Sequence, residues 1–366
     1  MKKVAFLCRP GLDSFIKPIV KALETEHVCQ LISSHGVGDL EFEAAVEWAE
    51  VIWLEWANEL TVDMTRIWHK KMEGKQVIVR LHSYEAFAGF AAKINWSVVD
   101  DLIFVADHIR EIVWEQVPEF QLMSTPANIL TKTDGPCRDT KIHTIHNGID
   151  LDKFKFKARS HVRFDRNLSE AKFIRDVVVP VIKQVAEESD QDELMQETGF
   201  NIAYIGYLNY KKGPMLLLHA FDALVRADDR YRLHIAGQFQ DNRYLLYYEQ
   251  MINSLGLQNN VHFDGWQDDI QEWLSDKQQI VCTSVLEGCP VGLMEAMACG
   301  LRPLVHSFVG ASGIFRQMDM WRSIPEFVKA ARRPFNEGDS VNTRAFIETN
   351  FSFDQQIAKI REVIDG

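Results

Sequence analysis

Short runs of consecutive apolar, β-branched residues recur along the chain, and each is followed by a stretch with apolar positions three and four apart. Lys3–Cys8, Val28–Ser33, Val51–Glu55, Gln76–His82 and Leu102–Ala106 read as strands. Phe15–Leu23, Ala44–Ala49, Thr61–Lys71 and His108–Gln116 fit helices between them; in the first of these Phe15, Ile16, Ile19, Val20 and Leu23 share a face. The strands are nearly continuous in apolar character rather than alternating, which is the pattern of a parallel sheet covered on both faces. Strand–helix alternation of this kind predicts a doubly wound α/β domain.

The pattern stops over 157–199 and then restarts. Ile202–Gly206, Arg232–Gly237, Val261–Phe263, Gln279–Ser284 and Pro303–His306 read as strands, with helices near 212–227, 241–255, 268–275 and 290–299. Beyond residue 320 the strands end, and Pro325–Arg332, Val341–Asn350 and Phe353–Ile364 read as helices. Ser352 followed by Gln355 has the spacing of a capping box. Four segments follow: 1–156, an acceptor-side Rossmann-like domain; 157–199, a basic and helical insertion or linker, with an amphipathic pattern over Leu168–Glu188; 200–345, a second Rossmann-like domain; and 346–366, a C-terminal helix expected to pack back toward the first domain.

Composition narrows the class. The 366 residues are 46% hydrophobic and 25% charged, an ordinary globular mixture that excludes global disorder. A net charge of −12 argues against a general surface for DNA or anionic lipid. The local exception is Lys153–Arg166, with six Lys or Arg. It reads best as a solvated linker, with lipid phosphates or a nucleic-acid backbone as the minority alternative. Cys8, Cys29, Cys137, Cys282, Cys289 and Cys299 form no C-x-x-C pair, and the apolar run Val4–Cys8 is too short for a signal core. The expectation is therefore a cytoplasmic chain with reduced thiols, peripheral at most to the inner face of a membrane.

Open α/β sheets bind ligands beyond the carboxyl ends of their strands. Four stretches at such ends carry chemistry. Glu287-Gly-Cys-Pro-Val-Gly-Leu-Met-Glu295, continuing to Gly300 and Pro303, resembles the signature of the retaining GT-B glycosyltransferases grouped with sucrose and glycogen synthases, the family 4 type or glycosyl transferases group 1. Pro290 suits a first helical turn. The N–H groups of Val291, Gly292 and Leu293 would then form an anion site for a diphosphate. Glu295, one turn in, is placed to accept from ribose hydroxyls, and Glu287 to face the sugar. Gly206-Tyr-Leu-Asn-Tyr-Lys-Lys-Gly213 is similar to the family's phosphate loop. Lys212 matches the expected cation, whereas Tyr207 stands where the family usually has Arg. A tyrosine hydroxyl donates one hydrogen bond and brings no charge, so Lys211 is the candidate to compensate.

His146-Asn-Gly-Ile-Asp150 through Phe154 resembles the family's exit from its first domain. Arg9-Pro-Gly11 follows the first strand, where the family places a glycine loop, and His82 follows another strand as the family's active-site histidine does. Gly237 and Trp266, at strand ends in the second domain, are candidates to line the base pocket.

The resemblance implies a GT-B fold: two Rossmann-like, doubly wound domains facing across a cleft, with C-terminal helices. It implies transfer of a sugar from a nucleotide-diphosphate donor, UDP- or GDP-linked, to a hydroxyl of a glycan, glycolipid or other acceptor, with retention and in cell-surface glycan or polysaccharide synthesis. Glu287 and His82 are the implied catalytic residues. No cofactor or metal is expected, and Asp139, Asp150 and Asp152 lie in turn or linker contexts rather than in an Asp-x-Asp after a strand. The competing readings are a glycosyltransferase acting on a modified nucleic-acid base and a non-catalytic sugar-nucleotide-binding descendant of the fold. A sugar-nucleotide epimerase ranks lower, because the glutamate string is foreign to it.

Overall fold

The structure is a computed structural model, and it describes residues 1–117, 140–159 and 200–366. The Leu168–Glu188 helix and the second half of the basic run lie outside the described residues. The chain divides into two compact units. The first comprises Met1–Asp150, Glu287–Val291 and Thr349–Gly366; the second comprises Leu151–Leu286 and Gly292–Glu348.

The first unit is built on a six-stranded, all-parallel sheet. Its strands are β1 (Lys3–Cys8), β2 (Val28–Ser33), β3 (Val51–Glu55), β4 (Gln76–Leu81), β5 (Asp101–Phe104) and β6 (Lys141–Thr144), in the order β2-β1-β3-β4-β5-β6. The helices α1 (Ile16–Leu23), α2 (Leu40–Trp48), α3 (Glu59–Ile67), α4 (Glu85–Ala88) and α5 (Asp107–Trp114) fall between strands. Strands β1 and β3 are buried almost throughout, whereas the edge strand β2 is not. Asp39 and Asn58 cap α2 and α3 by accepting from the Glu41 and Leu60 N–H groups.

On one face of this sheet Val4, Phe6, Trp53, Ile78 and Ile103 pack with Ile16, Ile19 and Leu23 of α1. The same core takes Ile357, Ile360 and Ile364 from the last helix of the chain, Phe353–Asp365. Ser352 caps that helix by accepting from Gln355 N–H, as the spacing predicted. The strand order reverses between β1 and β3. That is the topological switch point, beyond whose strand ends ligands usually bind.

The second unit repeats the plan. Its strands are β7 (Phe200–Ile205), β8 (Tyr231–Ala236), β9 (Val261–Gly265), β10 (Gln279–Cys282), β11 (Arg302–His306) and β12 (Met320–Trp321), all parallel, in the order β12-β11-β10-β7-β8-β9. The helices are α6 (Pro214–Ala227), α7 (Asn242–Leu255), α8 (Ile270–Trp273), α9 (Val291–Ala298), α10 (Ala311–Ile314), α11 (Ile324–Arg332) and α12 (Glu337–Asn350). The last helix of the chain, Phe353–Asp365, is α13. Ile202, Tyr204, Leu233, Ile235 and Val281 pack with Leu217, Phe221 and Leu224 of α6 in one core. The switch point here lies between β7 and β10.

Two strands depart from the expectations. β6 escapes the sequence pattern because Lys141 and His143 interrupt its apolar character and its last residue is Thr144. β12 extends the second sheet beyond residue 320 by only two residues, too few for a periodic signal.

In the described half of the basic run Lys153, Lys155 and Lys157 are exposed, and Arg159 differs from them. Arg159 is buried, donating from its guanidinium to the Leu274 and Ser275 carbonyls and from its backbone N–H to Ser340 Oγ. Lys157 Nζ donates to the Ser275 carbonyl at 3.0 Å.

Candidate active site

In the second unit the loops after β7 and β10 meet at the switch point. Asn209 accepts from Lys212 N–H and closes the turn Tyr210–Lys212. Gly213 follows in the left-handed region, at φ +64°, and Pro214 starts α6. Thr283 Oγ1, just past β10, donates to the Lys212 carbonyl at 2.9 Å, and Val285 N–H donates to the Lys211 carbonyl at 2.9 Å. The Lys212 side chain runs back over the end of β7: a Cβ placed on Gly206 would lie 4.0 Å from its Nζ. The ammonium is thus held at the carboxyl edge of the sheet rather than in open solvent.

Two glycines make this convergence possible. Gly237, after β8, sits where a Cβ would stand 2.0 Å from the Gly206 carbonyl oxygen. Gly292, in the first turn of α9, sits where a Cβ would stand 2.9 Å from Ile205 Cγ2. The start of α9, with Gly292 and Leu293, is therefore pressed onto the end of β7. The first N–H groups of a helix have no partner within it and favour an anion.

Glu295 is half-buried, one turn into α9. Burial pushes its carboxyl up to about 7, against a smaller opposing pull from Lys153. Tyr207 and Trp266, at the ends of β7 and β9, are both exposed and face each other as a tilted ring pair, with centroids 6.1 Å apart. Tyr207 therefore contributes to an aromatic surface here.

Gly11, His82, Glu287 and Val291 all belong to the first unit. Gly11 has φ +77° and open space around its α-carbon, so only its backbone conformation asks for glycine. Glu287 is buried, and its carbonyl accepts from His108 Nε2 at 2.6 Å. A Cβ on the next residue, Gly288, would stand 3.0 Å from Val105 Cγ2 and 3.2 Å from Ser83 Cβ. The Glu287 segment is thus seated against the residues that follow β4 and β5.

His82 is almost fully buried just past β4. Its Nε2 meets Glu55 Oε1 at 2.8 Å. Arg80 Nη1 reaches the same oxygen at 3.2 Å, and Trp53 Nε1 donates to Glu55 Oε2 at 2.8 Å. Arg80 Nη2 also donates to Asn147 Oδ1. Glu85 Oε1 accepts from the backbone N–H groups of Ala57 and His82. Burial pushes the Glu85 carboxyl up to about 7, although the backbone donors oppose it. The Trp56 indole stacks on the His82 ring with centroids 3.8 Å apart.

Sequence reasoning missed Glu55, Trp56, Arg80, Glu85, His108 and Asn147. A signal existed for two of them. Glu55 and Arg80 are opposite charges near the ends of two otherwise apolar strands, and they are register partners across β3 and β4.

No group of His, Cys, Asp and Glu suited to a metal ion occurs among the described residues, and no helix among them is long and apolar enough to cross a membrane.

Part of the chain is similar to known proteins. Residues 185–319 match the family described as glycosyl transferases group 1. The lipopolysaccharide 1,6-galactosyltransferase of Salmonella typhimurium is 31% identical over 108 residues, 28% of this chain and 29% of that protein. An uncharacterized glycosyltransferase of Methanocaldococcus jannaschii is 31% identical over 97 residues, 26% of this chain and 23% of that protein. The chain thus matches less than a third of the length of these curated relatives.

Among solved structures, Anabaena HepE in complex with UDP superposes with a TM-score of 0.70 at 14% identity, covering 99% of both chains. HepE with UDP-glucose gives 0.62 at 16% identity over the whole of both chains. Sucrose-phosphate synthase of Thermosynechococcus elongatus gives 0.66 at 12% identity, covering 100% of this chain and 98% of that one. At these identities the likeness establishes the fold, which is GT-B with two Rossmann-like units.

Proposed function

We propose that the protein transfers a sugar from a nucleotide-diphosphate sugar to an acceptor hydroxyl, with retention at the anomeric carbon. The observation that carries this reading is the convergence in the second unit. Lys212, the start of α9 and the glycine contacts at Gly213, Gly237 and Gly292 meet at one switch point, where cationic and N–H donors suit a diphosphate.

In this reading the leaving diphosphate is stabilised by Lys212 and by the N–H groups of Val291, Gly292 and Leu293. These residues carry the charge, so the reading calls for no metal. Glu295 accepts from the ribose hydroxyls. Glu287 orients the sugar and stabilises positive charge as it develops on the ring. Gly237 and Trp266 line the base pocket, and Lys211 adds charge where Tyr207 supplies none. Departure of the diphosphate on the face that the acceptor hydroxyl attacks accounts for retention.

The donor is UDP- or GDP-linked; the HepE complexes with UDP and UDP-glucose favour UDP. The name of the Salmonella relative supports an acceptor in cell-surface glycan synthesis.

The test is a panel of UDP-, GDP-, ADP-, CMP- and dTDP-sugars, read by thermal shift and by slow hydrolysis, with Lys212→Ala and Glu287→Ala alongside. One nucleotide class should stabilise the protein and be hydrolysed, and both variants should lose the hydrolysis. Absence of binding to every donor would overturn the reading and point to Tyr207 as the decisive departure.

A further inference from the structure

The first unit contains a buried side-chain chain that donor binding in the second unit does not require. Glu55 and Arg80 pair across the register of β3 and β4, and both are about 1% exposed. All of the Glu55 hydrogen bonds described above arrive from donors: Trp53 Nε1 on one oxygen, Arg80 Nη1 and His82 Nε2 on the other. Burial alone would raise the Glu55 carboxyl. The Arg80 guanidinium and the His82 and Trp53 hydrogen bonds outweigh it and hold the group below the usual carboxylate range.

An ionised carboxylate only accepts. The His82 nitrogen facing it must therefore carry the proton, and the ring is the Nε2–H tautomer. Burial, with the Arg80 charge nearby, lowers the pKa of His82, so the ring is neutral at pH 7. Nδ1 is then a bare acceptor.

The ring is also fixed in orientation. Trp56 stacks on it, and Phe15 lies 5.3 Å from it, centroid to centroid. Trp56 keeps φ +71°, the one non-glycine residue with positive φ among the described residues. Such a backbone is strained in an L-residue. It is held by three bonds: Trp56 Nε1 to the Leu12 carbonyl at 2.7 Å, Thr61 Oγ1 to the Trp56 carbonyl at 2.7 Å, and Ala57 N–H to Glu85. A strained residue fixed from several sides is characteristic of a functional site. This one lies at the β1/β3 switch point, joining the loop after β1 to the loop after β3.

We infer that Glu55 is a positioning residue: anchored by Arg80 and Trp53, it holds His82 as the neutral Nε2–H tautomer and leaves Nδ1 to accept from a hydroxyl of the sugar substrate. The inference rests on the transferase reading for the identity of that hydroxyl. The tautomer does not depend on it.

The test uses the full chain with ¹⁵N-labelled histidine at pH 7, the His82 ring signals being assigned by their loss in His82→Gln. The expected spectrum shows a protonated Nε2 and a bare Nδ1. In Glu55→Leu, which offers Nε2 no acceptor, this pattern should be lost. Its kcat for the nucleotide sugar should fall roughly 10- to 100-fold, the usual cost of losing an orienting partner, while KM and UDP binding stay unchanged. A wild-type ring that is Nδ1–H or doubly protonated overturns the inference without any variant having to fold. So does a Glu55→Leu protein that keeps both spectrum and kcat. A chain that shows the Nε2–H ring but turns over no nucleotide sugar loses the transferase reading and leaves the Glu55–His82 assignment supported.

Discussion

A β-carbon on Gly213 would stand 2.2 Å from the Thr283 carbonyl oxygen, so the loops after β7 and β10 touch backbone to backbone at the second unit's switch point. Two penalties then fall on Gly213→Ala. The residue must hold φ +64°, and the Thr283 backbone must move away. The expected cost is more than about 2 kcal/mol. Because Thr283 also bonds to the Lys212 carbonyl, displacing it shifts the lysine as well. Denaturant unfolding should show a lowered midpoint, and donor affinity should fall with it. Gly256→Ala is the control: it also ends a helix at positive φ, but a Cβ there meets nothing within 4 Å.

Lys212→Ala separates charge from fold. Its backbone makes the loop contacts with Asn209 and Thr283, which truncation of the side chain keeps. Removing one donor from a developing oxyanion typically costs about 10²–10³ in rate. Turnover of the preferred nucleotide sugar should fall by that factor, and Lys212→Arg should recover part of it. Full activity in Lys212→Ala would place the diphosphate elsewhere.

The legible part of this molecule was its periodicity. β1 and β3 are nearly unbroken apolar runs with a charged residue at one end, and the bounds of β1, β2 and β3 follow from the sequence directly. The helix start at α9 was equally plain, because Pro290 and the glycines around it have no other use at that spacing. The chain around His82 was not legible. Glu55 and Arg80 look like the polar ends of strands, and only the parallel register makes them a pair. Trp56 reads as an ordinary aromatic residue, since nothing in its neighbours announces a left-handed backbone. Glu85 sits one turn from His82 in sequence, but its role depends on the Ala57 N–H brought in from another loop.

The last helix, α13, should be indispensable to the first unit. Ile360 is fully buried in the core with Val4, Phe6 and Ile19. Ile360→Ala removes three buried carbons and leaves a void, which costs about 2–5 kcal/mol. Thermal unfolding should show this loss, and removal of residues 353–366 should abolish the cooperative transition of the first unit.

The proposed ribose role of Glu295 predicts a pH dependence of donor binding. Its carboxyl stands at about 7 without ligand. A ribose hydroxyl that donates to it favours the ionised form, so donor binding should release a proton between about pH 5 and 7. Affinity should therefore rise with pH through about 7 and level off above it. Calorimetry in buffers of different ionisation enthalpy would detect the released proton. Glu295→Gln should flatten the profile, and an unchanged profile in that variant would remove Glu295 from the ribose site.

Glu85 acts on stability instead, and in the opposite direction. Its folded pKa of about 7 lies above the ordinary value of 4.5, chiefly through burial. The folded state therefore binds the proton more tightly than the unfolded chain does. Stability from this group is fully present below about pH 4.5, declines as pH rises toward 7, and falls no further above that. Glu85→Gln keeps a carbonyl oxygen for the Ala57 and His82 N–H groups but cannot ionise. Denaturant midpoints measured from pH 4.5 to 8 should decline less steeply in the variant than in the wild type. At pH 8 the variant should be the more stable of the two, unless the fixed amide NH₂ finds no acceptor where Oε2 now has no partner. In that case its midpoint is lower at every pH but the flatter slope remains, so the slope is the quantity that decides.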